Sequence, residues 1–196
     1  MLARVSNVDS FRRWREDEDQ SVDDLVQWIT TDNPSEAMLA GTAFHAAIEV
    51  CQPGDFETIE ANGYTFLLPD AEIALPAIRE LRAYKAYGDL TVTGCVDCLE
   101  GKRIEDHKTT GRVDHERYLA GYQWRFYLDI FEADRFRWNV FPIREIKPKV
   151  YQVSQPEILE VCRYPGMHED CARLAADYLE FAREHLPADA SLGIAA

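Results

Sequence analysis

Residues 99–110 read LEGKRIEDHKTT, a pattern that predicts a β-strand entered through a tight turn at Gly101. Successive side chains of a strand point to opposite faces, so Asp106 and Lys108 are expected on one face and His107 on the other. A carboxylate can bind a hard cation through its oxygens, and a neighbouring ammonium group can stabilise charge that develops on a phosphate. Taken alone, such a triplet is more often a surface ion pair than a reactive site.

The residues before this turn predict a second strand over 91–99, which pairs with the first. Asp97 lies on it, and its carboxylate converges on Asp106 if the two strands present matching faces. Two carboxylates that close are destabilising unless a cation or the Lys108 ammonium group neutralises them. The alternative interpretation of Asp97 is an exposed aspartate close to a turn.

A helix is predicted over residues 33–51. Asn33 is expected to cap it, Pro34 suits the first helical position, and Glu36 completes a capping-box-like arrangement. Gly41 would let this helix approach a neighbouring element closely. Apolar residues at helical spacing predict its buried face, namely Phe44, Ile48 and Cys51.

The polar face of this helix carries residues at steps of 4, 3 and 4 along the chain, namely Met38, Thr42, His45 and Glu49. Positions with this spacing lie on one side of a helix. Because His45 and Glu49 are one turn apart, their imidazole and carboxylate groups can reach the same cation. The alternative is an ordinary pair on a helix surface, which is the commoner case for an isolated HxxxE.

Another helix is predicted from about residue 114 to residue 133. Its apolar stripe is expected to contain Leu119, Tyr122, Phe126 and Ile130. Gln123 and Tyr127, one turn apart, can offer hydrogen bonds to phosphates or bases, and a tyrosine can also stack. The alternative places both residues at the boundary of the apolar stripe.

The remaining pattern predicts helices and strands on both sides of this region. Helices are expected at 7–16, 21–30, 70–80 and 167–186, and a hairpin at 55–60 and 64–68 around Asn62-Gly63. Strand is favoured over 80–88, and further strands are expected at 136–140 and 149–153. This order predicts one α/β domain over residues 1–196, with a central mixed β-sheet flanked by helices.

The charge of the chain is unevenly distributed. Its formal net charge is −14, yet residues 102–149 hold 11 Lys and Arg against 8 Asp and Glu. The rest of the chain holds 10 basic against 27 acidic residues. This acidic balance argues against a protein that coats nucleic acid generally, whereas the basic stretch coincides with the DxK strand and the helix after it.

The cysteines and the hydropathy of the chain indicate the cellular compartment in which the protein is expected. Cys95 and Cys98 form a CxxC, but residues three apart on a strand point to opposite faces, so free thiols in a reducing compartment are expected. The chain has no apolar run of about 18 residues, and its first residues lack a signal-peptide pattern. The sequence therefore predicts a cytoplasmic protein with no membrane partner.

Four motifs follow one another along the chain: GxxxHxxxE at 41–49, GxxD at 94–97, DxKT at 106–109 and QxxxY at 123–127. Each motif is weak by itself. Their ordered combination closely resembles the RecB-like exonuclease branch of the PD-(D/E)xK nuclease superfamily, as found in phage and bacterial recombination. The resemblance covers about residues 37–130, and it implies a restriction-endonuclease-like core within about 33–153.

The resemblance implies a Mg²⁺ or Mn²⁺ site whose ligands are His45, Asp97, Asp106 and the main-chain carbonyl of His107. Lys108 would assist the attacking water, so the expected catalytic set is Asp97, Asp106 and Lys108. Glu49 would lie in an outer shell or bind a second ion, and Glu80 would add another carboxylate. Some relatives hold an iron–sulfur cluster with three late cysteines, but only Cys162 and Cys171 lie late here, so no cluster is expected.

The activity implied by the resemblance is metal-dependent hydrolysis of DNA, most simply by an exonuclease at duplex ends in recombination or repair. Gln123 and Tyr127 would hold DNA, whose backbone would be guided by Lys102, Arg112, Arg117 and Arg125. An endonuclease of the same fold, and a catalytically silent module that binds DNA or a partner, are the alternatives. An acidic exterior with a basic interior suits a homo-oligomeric ring threaded by a DNA end, and an acidic monomer with a local groove is the other possibility. A recombination partner protein is also expected.

Overall fold

A computed structural model of the chain describes residues 1–17, 19–31, 33–51, 57–69 and 78–187. These ranges contain six helices, which are α1 (Val5–Glu16), α2 (Val22–Thr30), α3 (Glu36–Val50), α4 (His115–Ala120), α5 (Gln123–Ile130) and α6 (Met167–His185). They also contain nine strands, which are β1 (Leu2–Arg4), β2 (Thr58–Ala61), β3 (Tyr64–Leu67), β4 (Ile78–Tyr87), β5 (Leu90–Glu100), β6 (Arg103–Thr110), β7 (Arg135–Lys147), β8 (Val150–Val153) and β9 (Glu157–Cys162).

The strands form one mixed sheet in the order β1-β5-β6-β7-β8-β3-β2, with β4 paired to β5 and β9 paired to β7. Three of the pairs are parallel, namely β1 with β5, β6 with β7 and β3 with β8. The other pairs are antiparallel, and the helices are interleaved with the strands along the chain. The predicted α/β fold with a central mixed sheet is therefore confirmed.

The long strand β7 contributes to two apolar cores. Phe136 and Trp138 point into the larger core, which also receives α1, α5 and α6. Phe141, further along the strand, belongs to the second core and packs on Phe44 of α3 with ring centroids 5.0 Å apart. The predicted burial of Phe44 and Ile48 is confirmed.

One edge of β5 is interrupted between two neighbouring strands. β1 pairs with β5 as far as Thr93, and β6 pairs with it from Cys98 onward. Among the described strands, none pairs with residues 94–97 on this edge. Main-chain groups without a ladder partner need other hydrogen-bond partners, so this interval is open to side chains and to a packed helix.

The turn at Asn62-Gly63 has positive φ at both central residues, 52° and 79°. This geometry matches the right-handed twist of the flanking strands, and it confirms the predicted hairpin, now β2 and β3. Most of the helix predicted at 70–80 lies outside the described residues. Residues 78–87 form β4, so the expected strand at 80–88 is confirmed.

The start of α3 differs from the prediction. Ser35, rather than Asn33, caps the helix by accepting a hydrogen bond of 3.3 Å from the Met38 amide. Glu36 does not complete a capping box, because its carboxylate accepts from the Tyr64 hydroxyl at 2.8 Å. A serine in extended conformation is as effective a cap as an asparagine, and here it is the residue next to the helix.

The helix predicted over 114–133 is in fact two helices. Gly121 ends α4 in an extended conformation, and the Tyr122 amide donates to Asp9 of α1 at 2.6 Å. Side chains take up the carbonyls released at the break, since Trp124 donates to Leu119 at 3.2 Å and Arg125 bonds the Gly121 carbonyl. These tertiary contacts outweigh the continuous helical pattern of the sequence.

A buried carboxylate ties α5 to β4 and α6. Asp129 is 2% exposed, and it accepts a hydrogen bond of 2.7 Å from the Tyr87 hydroxyl. Lys85 and His168 lie 3.0 and 2.9 Å from the same oxygen, and Arg163 lies 3.4 Å from the other. Burial alone would raise the pKa of Asp129, but these partners outweigh it and lower the pKa to about 2.

Two described strands, β1 and β9, were not expected from the sequence. β1 has only three residues and pairs with β5, almost ninety positions away along the chain. In the described part of the chain, no helix is long and apolar enough to cross a membrane.

Candidate functional site

Asp97 lies in the interrupted interval of β5, where the ladder to β6 has ended. The last pair of that ladder is Cys98 with Glu105, so Asp97 and Asp106 are the next residues of the two strands. One carboxylate oxygen of Asp97 accepts a hydrogen bond of 2.7 Å from the His107 amide and lies 3.3 Å from Nδ1 of His45. The carboxylate thus occupies the place of a missing main-chain acceptor.

Asp106 and Lys108 form a close pair on β6, as their alternation predicted. The Lys108 ammonium group donates to Oδ1 of Asp106 at 3.0 Å and lies 2.9 Å from Oδ2. Asp106 is 2% exposed, and its buried Oδ2 has the Lys108 ammonium group as its close partner in the described part of the chain. A buried carboxylate oxygen in this state has lone pairs available to a further cation.

The two aspartates are held in opposite electrostatic states. Burial raises the pKa of Asp106 above its ordinary value, and the nearby charge of Asp97 adds to this effect although Lys108 opposes it. Burial would also raise the pKa of Asp97, but its hydrogen bonds with His45 and His107 and the charge of Lys108 together lower it. Different surroundings therefore separate the proton affinities of two adjacent carboxyl groups.

Lys108 remains protonated in this setting. Burial disfavours its charged form, yet the carboxylates of Asp106 and Asp97 outweigh that effect and raise the pKa of its ammonium group. A permanently charged lysine can donate hydrogen bonds and stabilise negative charge, but it cannot accept a proton.

Close packing of α3 on β6 brings His45 to the site. A Cβ atom at Gly41 would lie 3.2 Å from the hydroxyl of Thr109, so the helix and the strand are nearly in contact there. Gly41 therefore permits the close approach that the sequence predicted. Burial would lower the pKa of His45, but the hydrogen bond and charge of Asp97 outweigh it and raise the pKa.

His107 points away from Asp106 into the second core, beside Phe141. It is 1% exposed, and burial lowers the pKa of its imidazole to about 4, so the ring is neutral near pH 7. Its amide faces the gap between β5 and β6. The N–H and C=O groups of one residue in a strand point to the same edge, so its carbonyl faces the same gap.

The two additional carboxylates lie at the margin of the site. Glu49 is exposed at the end of α3. Glu80 interrupts the pairing of β4 with β5 opposite Asp97, at a φ of 51°, and its carboxylate accepts from the Cys95 thiol at 3.4 Å. Burial and the charge of Asp97 raise the pKa of Glu80. A non-glycine residue in this conformation is held there against a local energetic cost.

Tyr127 of α5 closes the interval in the β5 edge. The space where Gly94 lacks a side chain is filled by the Tyr127 ring, whose atoms would lie 2.5 and 2.8 Å from a Cβ at Gly94. Gln123 donates to the Tyr127 hydroxyl at 3.3 Å, so the two residues of the QxxxY motif form one unit. Sequence reasoning placed Gly94 in a motif but did not reveal this contact.

Tyr118 of α4 was not among the predicted site residues. Burial raises the pKa of its hydroxyl, and the charges of Lys108 and Asp106 act on it, which places it near the pair. Its ring packs on Trp138 with centroids 6.0 Å apart. No pattern distinguishes this tyrosine from the others in the sequence, because the break after α4 sets its position.

The four predicted DNA-guiding cations are not brought together. Lys102 lies in the turn before β6, where it donates to the Glu132 carbonyl at 2.6 Å, so it is at the end of β6 remote from Asp106. Arg125 is half-buried and bonded to carbonyls at the α4–α5 break and to the Tyr164 hydroxyl. Its guanidinium supports packing there and is not presented to a ligand. Arg112 and Arg117 are exposed beyond the end of β6 that carries Lys108.

The donors near the gap can be compared with those that a hard divalent cation prefers. They comprise the carboxylates of Asp97 and Asp106, the carbonyl of His107 and the imidazole of His45. In the described ranges no three His, Cys, Asp or Glu side chains already form a metal-binding cluster. The oxygen-rich donor set nevertheless fits Mg²⁺ or Mn²⁺, which would share the Asp106 carboxylate with Lys108.

Comparisons with known proteins bear on the fold. No protein-family model matches the chain, and no curated protein matches it. A solved structure, named "Crystal structure of SSO0001", is similar with a TM-score of 0.51 and 14% identity, over 94% of this chain and 77% of that chain. At this identity the similarity shows a shared fold alone.

Proposed function

We propose that the chain is a divalent-cation-dependent deoxyribonuclease. The observation that supports this function best is the buried Asp106 carboxylate, which pairs with Lys108 and lies next to Asp97 across the end of the β5–β6 ladder. An ordinary surface ion pair does not require a second, half-buried carboxylate that is held in place by a main-chain amide. The order of the four motifs along the chain, which resembles RecB-like nucleases, supports the same function.

The residues have separate tasks in the proposed reaction. Asp97, Asp106, the His107 carbonyl and His45 would hold Mg²⁺ or Mn²⁺, which supplies a water of lowered pKa and stabilises charge on the phosphate. The Asp97 carboxylate is oriented by the His107 amide and His45. Lys108, being protonated, donates to the attacking water or to a non-bridging phosphate oxygen. Gln123, which bonds the Tyr127 hydroxyl, and Tyr127 itself would contact the substrate backbone.

The central experiment compares cleavage of linear duplex DNA with Mn²⁺, with Mg²⁺ and in excess EDTA. Wild-type protein should cleave with either cation and lose activity in EDTA. Asp106→Asn should lower the rate on the order of 10²-fold or more, as expected for a group that acts in the transition state. Asp89→Asn is the matched control, because that side chain is 80% exposed. Full activity in EDTA, or in Asp106→Asn, would remove the proposal.

Exonuclease action at DNA ends is the preferred mode within this proposal, and an endonuclease of the same fold is the alternative. An acidic surface repels DNA, so productive binding needs a confined path, completed by one subunit or by a homo-oligomer. Covalently closed circular duplex should therefore resist cleavage, and its rapid linearisation would favour the endonuclease. Light scattering measures the oligomeric state, and a monomer would contradict the ring.

Recombination or repair in the cytoplasm, with a recombination protein as partner, is part of the same proposal. Cys95, Cys98, Cys162 and Cys171 are free thiols, which suits a reducing compartment. A catalytically silent DNA-binding or partner-binding module remains the alternative function. Its signature would be cation-independent binding of DNA with no cleavage of either linear or circular substrate.

A further inference from the structure

A cleft lies between α1, α2 and the start of α3, next to the candidate site. Its volume is about 670 Å³, and its walls include Arg4, Arg13, Trp28 and Met38. A second hollow of about 480 Å³ shares Arg13 and Trp28 with the first and continues to Arg117. The two hollows therefore form a continuous path along the surface of α1.

Two elements of the fold connect the walls of the cleft with the candidate site. Arg4 pairs with Thr93 of β5, the residue before Gly94, and Gly94 packs on Tyr127. On the opposite wall, Met38 lies on the same face of α3 as His45. Their separation of seven positions corresponds to roughly 10 Å along the helix axis, which is about three stacked nucleotides at ~3.4 Å each.

Trp28 has the features of a stacking platform. It is 54% exposed, although a tryptophan of this size is usually highly buried. One edge of its indole is fixed, because Nε1 donates to the Ser10 hydroxyl at 3.2 Å. Ser10 itself is buried on α1, so the ring is oriented while much of its surface remains open.

The charges along the path suit an anionic strand in a chain that is otherwise acidic. Arg4 and Arg117 are exposed, and the Arg13 side chain is 44% exposed although it contacts Ser10 and Asp9. Asp17 and Asp24 oppose them. The Asp24 carboxylate accepts hydrogen bonds from the Ser21 amide and hydroxyl at the start of α2, and Asp17 accepts one from the Asp19 amide. Arginine side chains interleaved with an exposed aromatic ring are typical of sites that follow a nucleic-acid backbone.

We propose that this cleft binds the single-stranded DNA segment adjoining the scissile phosphate, with an unpaired base stacked on Trp28. The inference rests on the proposed nuclease function, whose substrate path it specifies. Single-stranded rather than duplex DNA is assigned because the face of a base is available to an aromatic ring only when the base is unpaired.

Binding can be measured without cleavage by using the Asp106→Asn variant and a fluorescently labelled deoxyoligonucleotide. Single-stranded DNA should quench tryptophan emission, since Trp28 is exposed whereas Trp14 is half-buried and Trp124 and Trp138 are buried. Introducing Trp28→Ala into the Asp106→Asn variant should remove the quenching and weaken binding by about 5- to 100-fold. Trp28→Phe keeps an aromatic ring and should lose less than about threefold in affinity.

The arginines are tested by the salt dependence of the same binding. Removing Arg4 or Arg13 should reduce the slope of log K against log salt by about 0.7 for each phosphate that the protein no longer neutralises. Arg173→Ala is the matched control, because its side chain is 72% exposed and lies outside the cleft. An unchanged slope in both cleft variants would contradict the assignment.

The outcomes separate this inference from the proposed function. Equal cleavage rates of wild-type protein and the Trp28→Ala variant would overturn the cleft assignment alone. Tighter binding of blunt duplex than of single strands would do the same. Quenching by single-stranded DNA without any cleavage would support the cleft and overturn the nuclease. Absence of both would overturn the two together.

Discussion

The amide of His107 donates a hydrogen bond of 2.7 Å to the Asp97 carboxylate, at the point where β5 and β6 stop pairing. Replacing Asp97 with Asn keeps an oxygen that can accept this bond and removes only the charge. We expect Asp97→Asn to retain its fold but to bind Mn²⁺ at least tenfold more weakly, because a hard cation prefers a carboxylate ligand. Calorimetric titration with Mn²⁺, with thermal unfolding as the control, measures both effects. Wild-type affinity in this variant would show that Asp97 is a structural acceptor only.

The stability effect of replacing Lys108 should depend on whether Asp106 still carries its charge. Lys108→Met should lower the free energy of unfolding by about 1–3 kcal/mol, because it leaves the buried Asp106 carboxylate without its cation. The double variant Asp106→Asn/Lys108→Met should recover part of that loss, since no buried charge remains. Urea denaturation of the two single variants and the double variant gives the coupling energy. Simple additivity would mean that the pair contributes nothing to stability.

The Gly94→Ala variant is expected to be less stable than the wild type. A Cβ there would lie 2.5 Å from the buried Tyr127 ring, and the resulting overpacking should cost about 1–3 kcal/mol. Displacement of Tyr127 should also lower cleavage, because its hydroxyl is joined to Gln123. Gly111→Ala is the control, since nothing lies within 4 Å of a Cβ at that position. Equal stability of the two variants, measured by thermal unfolding, would argue against the contact.

Asp129 predicts a pH-dependent contribution to stability. Its pKa of about 2 lies below the ordinary value of 3.8, so its ionised form favours the folded state. This stabilisation, about 2 kcal/mol, is present above about pH 4 and is lost as the pH falls through the folded-state pKa. The difference in unfolding free energy between wild type and Asp129→Asn should therefore be larger at pH 5 than at pH 2.5. A pH-independent difference would assign the effect to packing.

Local patterns in the sequence predicted the residues of the site more accurately than the elements that surround it. Alternation placed Asp106 and Lys108 on one face, and helical spacing placed His45 on the exposed side of α3, because each depends on the geometry of one element. The break at Gly121 was not predicted, since it results from Asp9, a residue of α1 remote in the chain. β9 has the exposed residue Ile158 and little alternation, so its strand conformation depends on pairing with β7.

The pairing of β7 has a consequence for synthesis on the ribosome. β7 pairs with β6, β8 and β9 and supplies side chains to both apolar cores. Until residue 147 has left the exit tunnel, the nascent chain cannot complete either core, and the edge of β6 stays exposed to other strands. Protection of β6 by a chaperone, or rapid elongation through residues 135–147, would therefore limit aggregation.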